Sequence, residues 1–250
     1  MKTKEEVLQN CTIEGNVIKL PTTQLDRKLY LEVAKSLELI GGKWKGGKTF
    51  GFVFPSDPTE LLAQIANGEK RNLKKEFQFF ATPDELADKL VELANINSTG
   101  FRNRSILEPS AGQGAIIKAI HKYHPNTEVH YCELMDINRS ILEKKVEANF
   151  ICNDFLKIPK GYCFDYIIAN PPFSKNQDID HIKEMYNRLK YGGRMVTISS
   201  KHWLRSSNKK EMEFREWLSG VKASIEEIDK GEFKESGTMV GGLIITINKN

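Results

Sequence analysis

The sequence predicts an α/β protein: a mostly parallel, seven-stranded sheet covered by helices on both faces, with a small α+β module before it. Three observations lead to this prediction. From about residue 76, short apolar runs alternate with segments of helical periodicity, as in parallel sheets built from strand–helix–strand units. The last two apolar runs have no helix between them, so we expect an antiparallel pair at the edge. The first 75 residues follow a different pattern.

Length and composition indicate an ordinary globular protein. The chain has 250 residues, of which 40% are hydrophobic and 28% are charged. No apolar run approaches the ~20 residues that span a bilayer, and the charged N-terminus is unlike a signal peptide. We therefore expect a cytoplasmic protein without a membrane anchor. The formal net charge of +4 is compatible with a polyanionic partner.

The cysteine and histidine residues do not occur at the spacings of metal sites. None of the four cysteines forms a C-x-x-C pair, and the five histidines include no H-E-x-x-H motif. We expect neither disulfides nor a bound metal.

The first 75 residues are predicted to form a helix, a hairpin and a second helix. Apolar residues recur at helical spacing over residues 25–40, behind Thr23 and Asp26 as the start. The run GGKWKGGKTFGFVFP predicts a hairpin with apolar strand positions at Trp44 and the following phenylalanines.

The second helix of this module is predicted to begin at Asp57 and to end at Gly68. A charged stretch follows, and we place the boundary between the two domains, residues 1–75 and 76–250, near Lys75.

The larger domain is predicted to begin with a helix. Thr82 is the expected cap, with Pro83 in the first position and Glu85 completing a capping box. A later helix over 179–189 is expected to end at Gly192 and Gly193. The predicted strands are Ser105–Leu107, Glu128–Cys132, Phe150–Cys152, Tyr166–Ala169, Met195–Ser199, Ser224–Ile228 and Gly242–Ile247.

A glycine-rich turn, LEPSAGQGAI, links the first of these strands to a helix. Gly112 and Gly114 allow a sharp turn and a close approach to a ligand. Glu133 ends the next strand, where a carboxylate can bind two ribose hydroxyls, and Asp154 follows the third strand. The turn lacks both the third glycine of dinucleotide sites and the lysine of a P-loop. These features indicate a nucleoside-like ligand without phosphates.

The fourth strand is followed by Asn170-Pro171-Pro172-Phe173. Two prolines make this turn rigid, and rigidity favours the in-line alignment that group transfer needs. The Asn170 amide oxygen and the Pro171 carbonyl can accept the two N–H bonds of an adenine amino group, which drives its nitrogen towards a tetrahedral form. Phe173 offers a π face for a base turned out of its stack. This pattern favours methylation of an exocyclic amine.

With these motifs in hand, the chain from about residue 76 to 250 resembles the class I amino-methyltransferases, particularly N6-adenine DNA methyltransferases. The order of its motifs is similar to the gamma arrangement: QFFATP, the glycine-rich turn, the acidic strand end, NDF and NPPF. The resemblance implies the Rossmann-like class I fold, S-adenosyl-L-methionine as cofactor, and DNA as the preferred substrate.

The resemblance also implies roles for individual residues. Thr82 would contact the methionine carboxylate of the cofactor, and Phe233 would wall the pocket of the target base together with Phe173. Leu134 would pack on the cofactor adenine. The further implied cofactor contacts are Glu108, Ser110, Gly112 and Gly114 around the methionine, Glu133 at the ribose, and Asp154 and Phe155 at the adenine.

The chain stops at Asn250, whereas gamma enzymes that act alone usually continue into a recognition domain. Target recognition is therefore expected from the first 75 residues, from loops, or from a separate specificity subunit, as in restriction-modification. Other functions stay open: an RNA adenine-N6 or guanine-N2 methyltransferase, a protein glutamine methyltransferase, or a non-catalytic subunit that binds nucleic acid.

Two groups of basic residues could contact nucleic acid, although clusters of this kind are often only solvated surface. Trp44 and Trp203 could stack on bases, although packing in the core is the commoner role of tryptophan. The basic residues predicted to contact nucleic acid are Lys43, Lys45 and Lys48 on the hairpin, and Lys201, Arg205, Lys209 and Lys210 after the fifth strand.

Overall fold

A computed structural model describes residues 3–54, 57–72, 82–96, 104–228 and 241–250. The chain divides into two compact units, residues 1–79 and 80–250. The boundary that we predict near Lys75 lies outside the described residues.

The first unit combines short helices with a small antiparallel sheet. Its described elements are α1 (Lys4–Gln9), β1 (Thr12–Glu14), β2 (Val17–Lys19), α2 (Arg27–Leu39), β3 (Lys43–Lys45), β4 (Gly51–Val53) and α3 (Thr59–Ala66). The strands lie in the order β1-β2-β4-β3. The two predicted helices and the hairpin are confirmed, and Asp26 caps α2 by accepting hydrogen bonds from the amides of Lys28 and Leu29.

Three elements at the start of this unit escaped the sequence analysis: α1, β1 and β2. The strands are only three residues long, too short for a clear alternation of apolar and polar residues. The usable signal is Gly15-Asn16, a two-residue turn that joins Glu14 to its partner Val17. Ile18 of β2 is fully buried and anchors the added hairpin in the core of the unit.

The second unit contains a larger sheet with helices on both faces. Its elements are α4 (Asp84–Ala94), β5 (Ile106–Glu108), α5 (Ala115–Tyr123), β6 (Val129–Cys132), α6 (Asp136–Leu142), β7 (Asn149–Cys152), β8 (Phe164–Ala169), α7 (Gln177–Arg188), β9 (Leu189–Ser199), α8 (Lys209–Gly220), β10 (Ser224–Glu227) and β11 (Leu243–Asn248). Across the described residues the strand order is β10-β11-β9-β8-β5-β6-β7. The predicted seven-stranded, mostly parallel sheet is confirmed.

One strand, β11, runs against the others. It pairs antiparallel with both β9 and β10, so the antiparallel pair that we predict does lie at the edge of the sheet. The reversed strand itself is one position inside that edge.

Each face of the sheet carries its own apolar core. Ile168 of β8 faces the core formed with α4, α5 and α6, whereas its neighbour Ile167 faces the core formed with α7 and α8. This alternation requires both faces to be covered, as in other doubly wound sheets. Within the described residues, no helix combines the length and apolar character needed to cross a bilayer.

Two predicted helix ends are wrong. Helix α4 begins after Pro83, which is the N-cap residue, so Thr82 does not cap it. Helix α7 runs directly into β9 at Leu189, and Gly192 and Gly193 lie inside that strand. A Cβ at Gly193 would come within 2.8 Å of the Lys190 carbonyl oxygen. Close approach of backbone, not helix termination, therefore requires this glycine.

Candidate active site

Four parallel strands, in the order β8-β5-β6-β7, bring their carboxyl ends to one edge of the sheet. This edge carries Glu108 at the end of β5, Glu133 after β6, Asp154 after β7 and Asn170 after β8. In open α/β sheets, ligands bind outside the carboxyl ends of the strands. The topology thus brings the predicted cofactor and catalytic motifs to the same edge.

The glycine-rich turn between β5 and α5 needs its glycines for conformation and space. Gly112 and Gly114 have φ angles of 54° and 84°, in the left-handed region that favours glycine. A Cβ at Gly114 would lie 3.1 Å from Leu142 Cγ and 3.2 Å from Val146 Cγ2. Any larger residue at Gly114 would therefore push α5 away from the helix that follows β6.

Glu133 holds this turn in place. Its Oε2 atom accepts a hydrogen bond of 2.7 Å from the Gly112 amide, and its Oε1 atom accepts one of 2.8 Å from the Met135 amide. Asn138, buried in α6, donates to the same Oε1 atom at 3.3 Å. Burial raises the pKa of the Glu133 carboxyl, although these hydrogen bonds act in the opposite direction. The carboxylate thus links the glycine-rich turn to the start of α6.

Glu108 is the more deeply buried carboxyl, with only 2% of its surface exposed. Its Oε2 atom has no hydrogen-bond partner among the described residues. Burial raises the pKa of this carboxyl well above its ordinary value, and the neighbouring Glu133 raises it further. A buried acceptor of this kind is stabilised by a cationic or hydrogen-bond-donating ligand.

The residues predicted to surround the cofactor adenine differ in exposure. Leu134 is 54% exposed and so presents an apolar surface beside the turn. Asp154 accepts a hydrogen bond from the Leu156 amide and pairs with Lys157. The Phe155 ring is buried and packs against His181 in the core, so this side chain has little surface for a ligand.

The Asn170-Pro171-Pro172-Phe173 turn follows β8 directly. The Asn170 amide nitrogen donates a hydrogen bond of 3.1 Å to the Thr82 hydroxyl, which the cap prediction had assigned to α4. Pro171 is buried, and Phe173 is half-buried and packs against the core of α4, α5 and α6. The turn is therefore anchored at both ends.

A polar network behind this turn escaped the sequence analysis. Asn176, in a left-handed conformation with φ of 60°, donates a hydrogen bond to buried Glu211 and contacts the His202 ring. His202 also bonds Ser200, which donates to fully buried Asp178 at 2.6 Å. The sequence signal for this network is the pair Asn176 and Asp178, which are polar residues at the start of the helix after NPPF. Trp203, an alternative base-stacking residue, is buried within this region.

Most of the predicted nucleic-acid contacts in the second unit pair with acidic residues. Lys201 lies 2.6 Å from Glu227, Lys210 lies 2.7 Å from Asp180, and Lys209 lies 3.7 Å from Glu213. Arg205 is exposed. Phe233, predicted to wall the target pocket, lies outside the described residues.

The basic residues of the first unit differ in this respect. Lys43, Lys45 and Lys48 are exposed on the β3–β4 hairpin. None of the three forms an ion pair with any residue that the structure describes.

A comparison with models of protein families identifies the family of this chain. Residues 84–222, more than half of the chain, match the methyltransferase small domain. The chain is a member of that family. The match spans α4 through α8 and thus includes the glycine-rich turn, the three acidic strand ends and the NPPF turn.

The cofactor of this methyltransferase is S-adenosylmethionine. The residues at the carboxyl edge of the sheet fit this cofactor. The turn over residues 108–114 contains no lysine or arginine, in keeping with a ligand that carries no phosphate. Two buried carboxyls, Glu108 and Glu133, lie close enough that one raises the pKa of the other. A sulfonium or an ammonium group would offset this repulsion, and the unpartnered Glu108 Oε2 atom could accept from the ammonium.

Comparisons with individual proteins agree with this family. The modification methylase CviBIII of Paramecium bursaria Chlorella virus NC1A is 32% identical over 123 residues, covering 46% of this chain and 32% of the relative. The chain thus spans about a third of the length of that relative.

Two solved structures share the fold. A type I restriction-modification methyltransferase subunit from Streptococcus thermophilus has a TM-score of 0.61 at 17% identity, covering 78% of this chain and 48% of its own. A candidate class I S-adenosylmethionine-dependent methyltransferase from Listeria monocytogenes has a TM-score of 0.53 at 14% identity, covering 99% and 79% respectively. These likenesses confirm the predicted class I fold.

Proposed function

We propose that this protein transfers a methyl group from S-adenosylmethionine to the N6 amino group of adenine in DNA, after the base has left the duplex stack. One observation carries the proposal. The Asn170-Pro171-Pro172-Phe173 turn stands at the same sheet edge as Glu108 and Glu133, and its asparagine is held by Thr82.

The hydrogen bond to Thr82 orients the Asn170 amide. Because the amide nitrogen donates to the Thr82 hydroxyl, the amide oxygen is left to accept. No described residue donates a hydrogen bond to that oxygen. An adenine amino group has two N–H donors, and Asn170 can take one of them.

The second acceptor is the Pro171 carbonyl. Pro171 and Pro172 have fixed φ angles and no N–H groups, so the turn is rigid. Neither proline can donate a backbone hydrogen bond to the Pro171 carbonyl, which therefore stays available to a ligand. Two acceptors on one amino group draw its nitrogen towards a tetrahedral geometry and so free its lone pair, which the ring otherwise delocalises.

The bound cofactor supplies an activated methyl group on a positively charged sulfur. The protein's contribution is to bind and orient both partners within reacting distance. Glu108 and the glycine-rich turn would hold the cofactor on one side. The exposed part of Phe173 would support the flipped base on the other.

DNA is favoured over RNA because one relative is a modification methylase and one structural neighbour belongs to a restriction-modification system. That neighbour is one subunit of its system, and we propose that DNA recognition by this chain likewise involves a separate specificity subunit. Residues 1–75 would contribute contacts of their own.

The test identifies both the polymer that is methylated and the base that receives the methyl group. The protein is incubated with S-adenosylmethionine carrying a labelled methyl group and, separately, with duplex DNA, single-stranded DNA and RNA. Each pool is then digested to nucleosides. We expect label in N6-methyladenine of DNA, and none with Asn170→Ala. Label in RNA alone, in guanine, or in protein would overturn the proposal.

A further inference from the structure

The first unit contains a groove of about 800 Å³ that no part of the proposed chemistry uses. One wall is the segment from Lys19 to Arg27, which leads from β2 into α2. The opposite wall is the β3–β4 hairpin, with Trp44 and Phe50. Tyr30, on the first turn of α2, also lines the groove.

Two aromatic rings stand open at this groove. Phe50 is 69% exposed and Trp44 is 39% exposed, with ring centroids 5.2 Å apart in an edge-on arrangement. The buried Phe52 packs against Trp44 at 5.1 Å and fixes its position. Because exposing large apolar rings to water is unfavourable, an exposed aromatic pair of this kind is typical of a surface that binds a ligand or another macromolecule.

The backbone conformation at Phe50 also indicates a binding surface. Its φ angle of 37° is in the left-handed region, which is rare for a bulky residue. Strained residues of this kind persist where the surrounding structure holds them and are concentrated at binding sites. Here the strain presents the ring to solvent instead of folding it onto the small core.

The charge of the groove is positive. Lys19, Arg27 and Lys48 line it, against a single acidic lining residue, Asp26. Asp26 is already engaged, because its carboxylate caps α2. Lys48 has no acidic partner among the described residues, whereas Lys19 pairs with Glu14. An anionic ligand with flat rings would match both the charge and the aromatic surfaces.

We propose that this groove binds a single-stranded segment of nucleic acid, with a base on Trp44 and Phe50 and phosphates near Lys48 and Arg27. Stacking requires an open base face, which a paired duplex does not offer, and aromatic rings beside cations are the usual means of binding single strands. The inference deepens the proposed function, on which it rests, by assigning the first unit a preference for unpaired DNA.

The test measures binding of the full chain to a fluorescent oligothymidylate by anisotropy. This ligand contains no adenine, so a target base cannot contribute. The variants are Phe50→Asn, since asparagine tolerates a positive φ, and Lys48→Gln. Matched controls outside the groove are Tyr191→Ala, an aromatic residue that is 83% exposed, and Lys35→Gln on the exposed face of α2. Circular dichroism checks that each variant is folded.

We expect Phe50→Asn to weaken binding by roughly 5-fold to 100-fold, the effect of losing one base–aromatic stack. Lys48→Gln should reduce the slope of log affinity against log salt by about 0.7, the value for one phosphate contact on a single strand. Both controls should bind like the wild type. Duplex DNA of the same length should bind more weakly than the single strand.

Wild-type affinity in both groove variants would overturn the inference, even if DNA methylation were observed. Equal competition by thymidine monophosphate would also overturn it, because the site would then bind a mononucleotide. If the groove variants lost binding to an acidic peptide to the same extent, the inference would also be overturned, because the contact would then depend on charge alone. Weakened oligothymidylate binding without any DNA methylation would leave the groove in place and contradict only the proposed function.

Discussion

The Asn170 side-chain amide and the Thr82 hydroxyl are joined by a hydrogen bond of 3.1 Å. This contact ties the segment before α4 to the turn after β8, although 88 positions separate the two residues. It also fixes which end of the Asn170 amide is left to accept a hydrogen bond. The proposed catalytic geometry depends on this pair.

The first prediction concerns Thr82. Thr82→Val removes the hydroxyl while keeping the shape, and should lower kcat by about 2-fold to 10-fold, as for one neutral hydrogen bond. The KM for DNA should stay unchanged, because Thr82 would act by positioning Asn170. Thr82→Ser is the control and should restore the wild-type rate. Loss of activity in the serine variant as well would show that the hydroxyl is not the relevant group.

The second prediction separates two acidic residues at the cofactor edge. Glu133→Ala should lower both the affinity for S-adenosylmethionine and the free energy of unfolding, the latter by about 1–3 kcal/mol, because its carboxylate holds the turn at Gly112. Asp154→Ala should lower the affinity with little change in stability. Calorimetric titration and urea unfolding measure the two quantities. Unchanged cofactor affinity in both variants would contradict the predicted cofactor site.

The third prediction is a pH dependence of cofactor binding. The pKa of the Glu108 carboxyl is raised in the folded protein, first by burial and then by Glu133. The folded protein therefore holds this proton more tightly than the unfolded chain. A cationic cofactor binds the ionised carboxylate better, so its affinity should increase as the pH rises above the range in which a glutamate carboxyl ordinarily titrates. Glu108→Gln should flatten this dependence; an identical slope in the variant would show that another group titrates.

The fourth prediction concerns stability at Asp165, at the start of β8. Burial alone would raise the pKa of this carboxyl, but hydrogen bonds from Lys190 and Ser105 outweigh it and lower the pKa to about 2. The folded-state pKa lies below the unfolded one, so the stabilisation is complete above about pH 4 and is lost as the pH falls towards 2.

Asp165→Asn should therefore lower the free energy of unfolding by about 1–3 kcal/mol at neutral pH, and the difference from wild type should shrink below pH 4. Asp136→Asn, at an exposed pair with Arg139, should cost less than about 1 kcal/mol. Urea unfolding across this pH range checks both. A difference that is constant with pH would mean that the charge of Asp165 is not the cause.

The sequence predicts the sheet well because its signals are local and repeated. Most strands of the second unit are short apolar runs, and several of the turns that follow them carry glycine or proline. The position of the NPPF turn also follows from the chain order, since it comes after the fourth strand. What local patterns miss are contacts between distant segments: the Thr82 hydroxyl suits a cap equally well, and only the fold directs it to Asn170.

The same limit applies to charge and to short elements. Sequence alone does not show that Lys201 pairs with Glu227, because 26 positions separate them. Nor does the sequence show that the Glu133 carboxylate accepts a hydrogen bond from the Gly112 amide of the glycine-rich turn. The three-residue strands β1 and β2 are too short for periodicity to be visible, and β2 also pairs with β4, which is distant in the sequence.

In the proposed reaction the methyl group is transferred to the exocyclic nitrogen of adenine in DNA. The most direct measurement uses a DNA strand with one adenine, labelled with ¹⁵N at its amino group, and S-adenosylmethionine with a ¹³C-methyl group. After reaction with the wild-type protein, NMR of the digested nucleoside should show one-bond coupling between the two labels. A ¹³C-methylated nucleoside without that coupling would place the methyl group on another atom and would contradict methylation at N6.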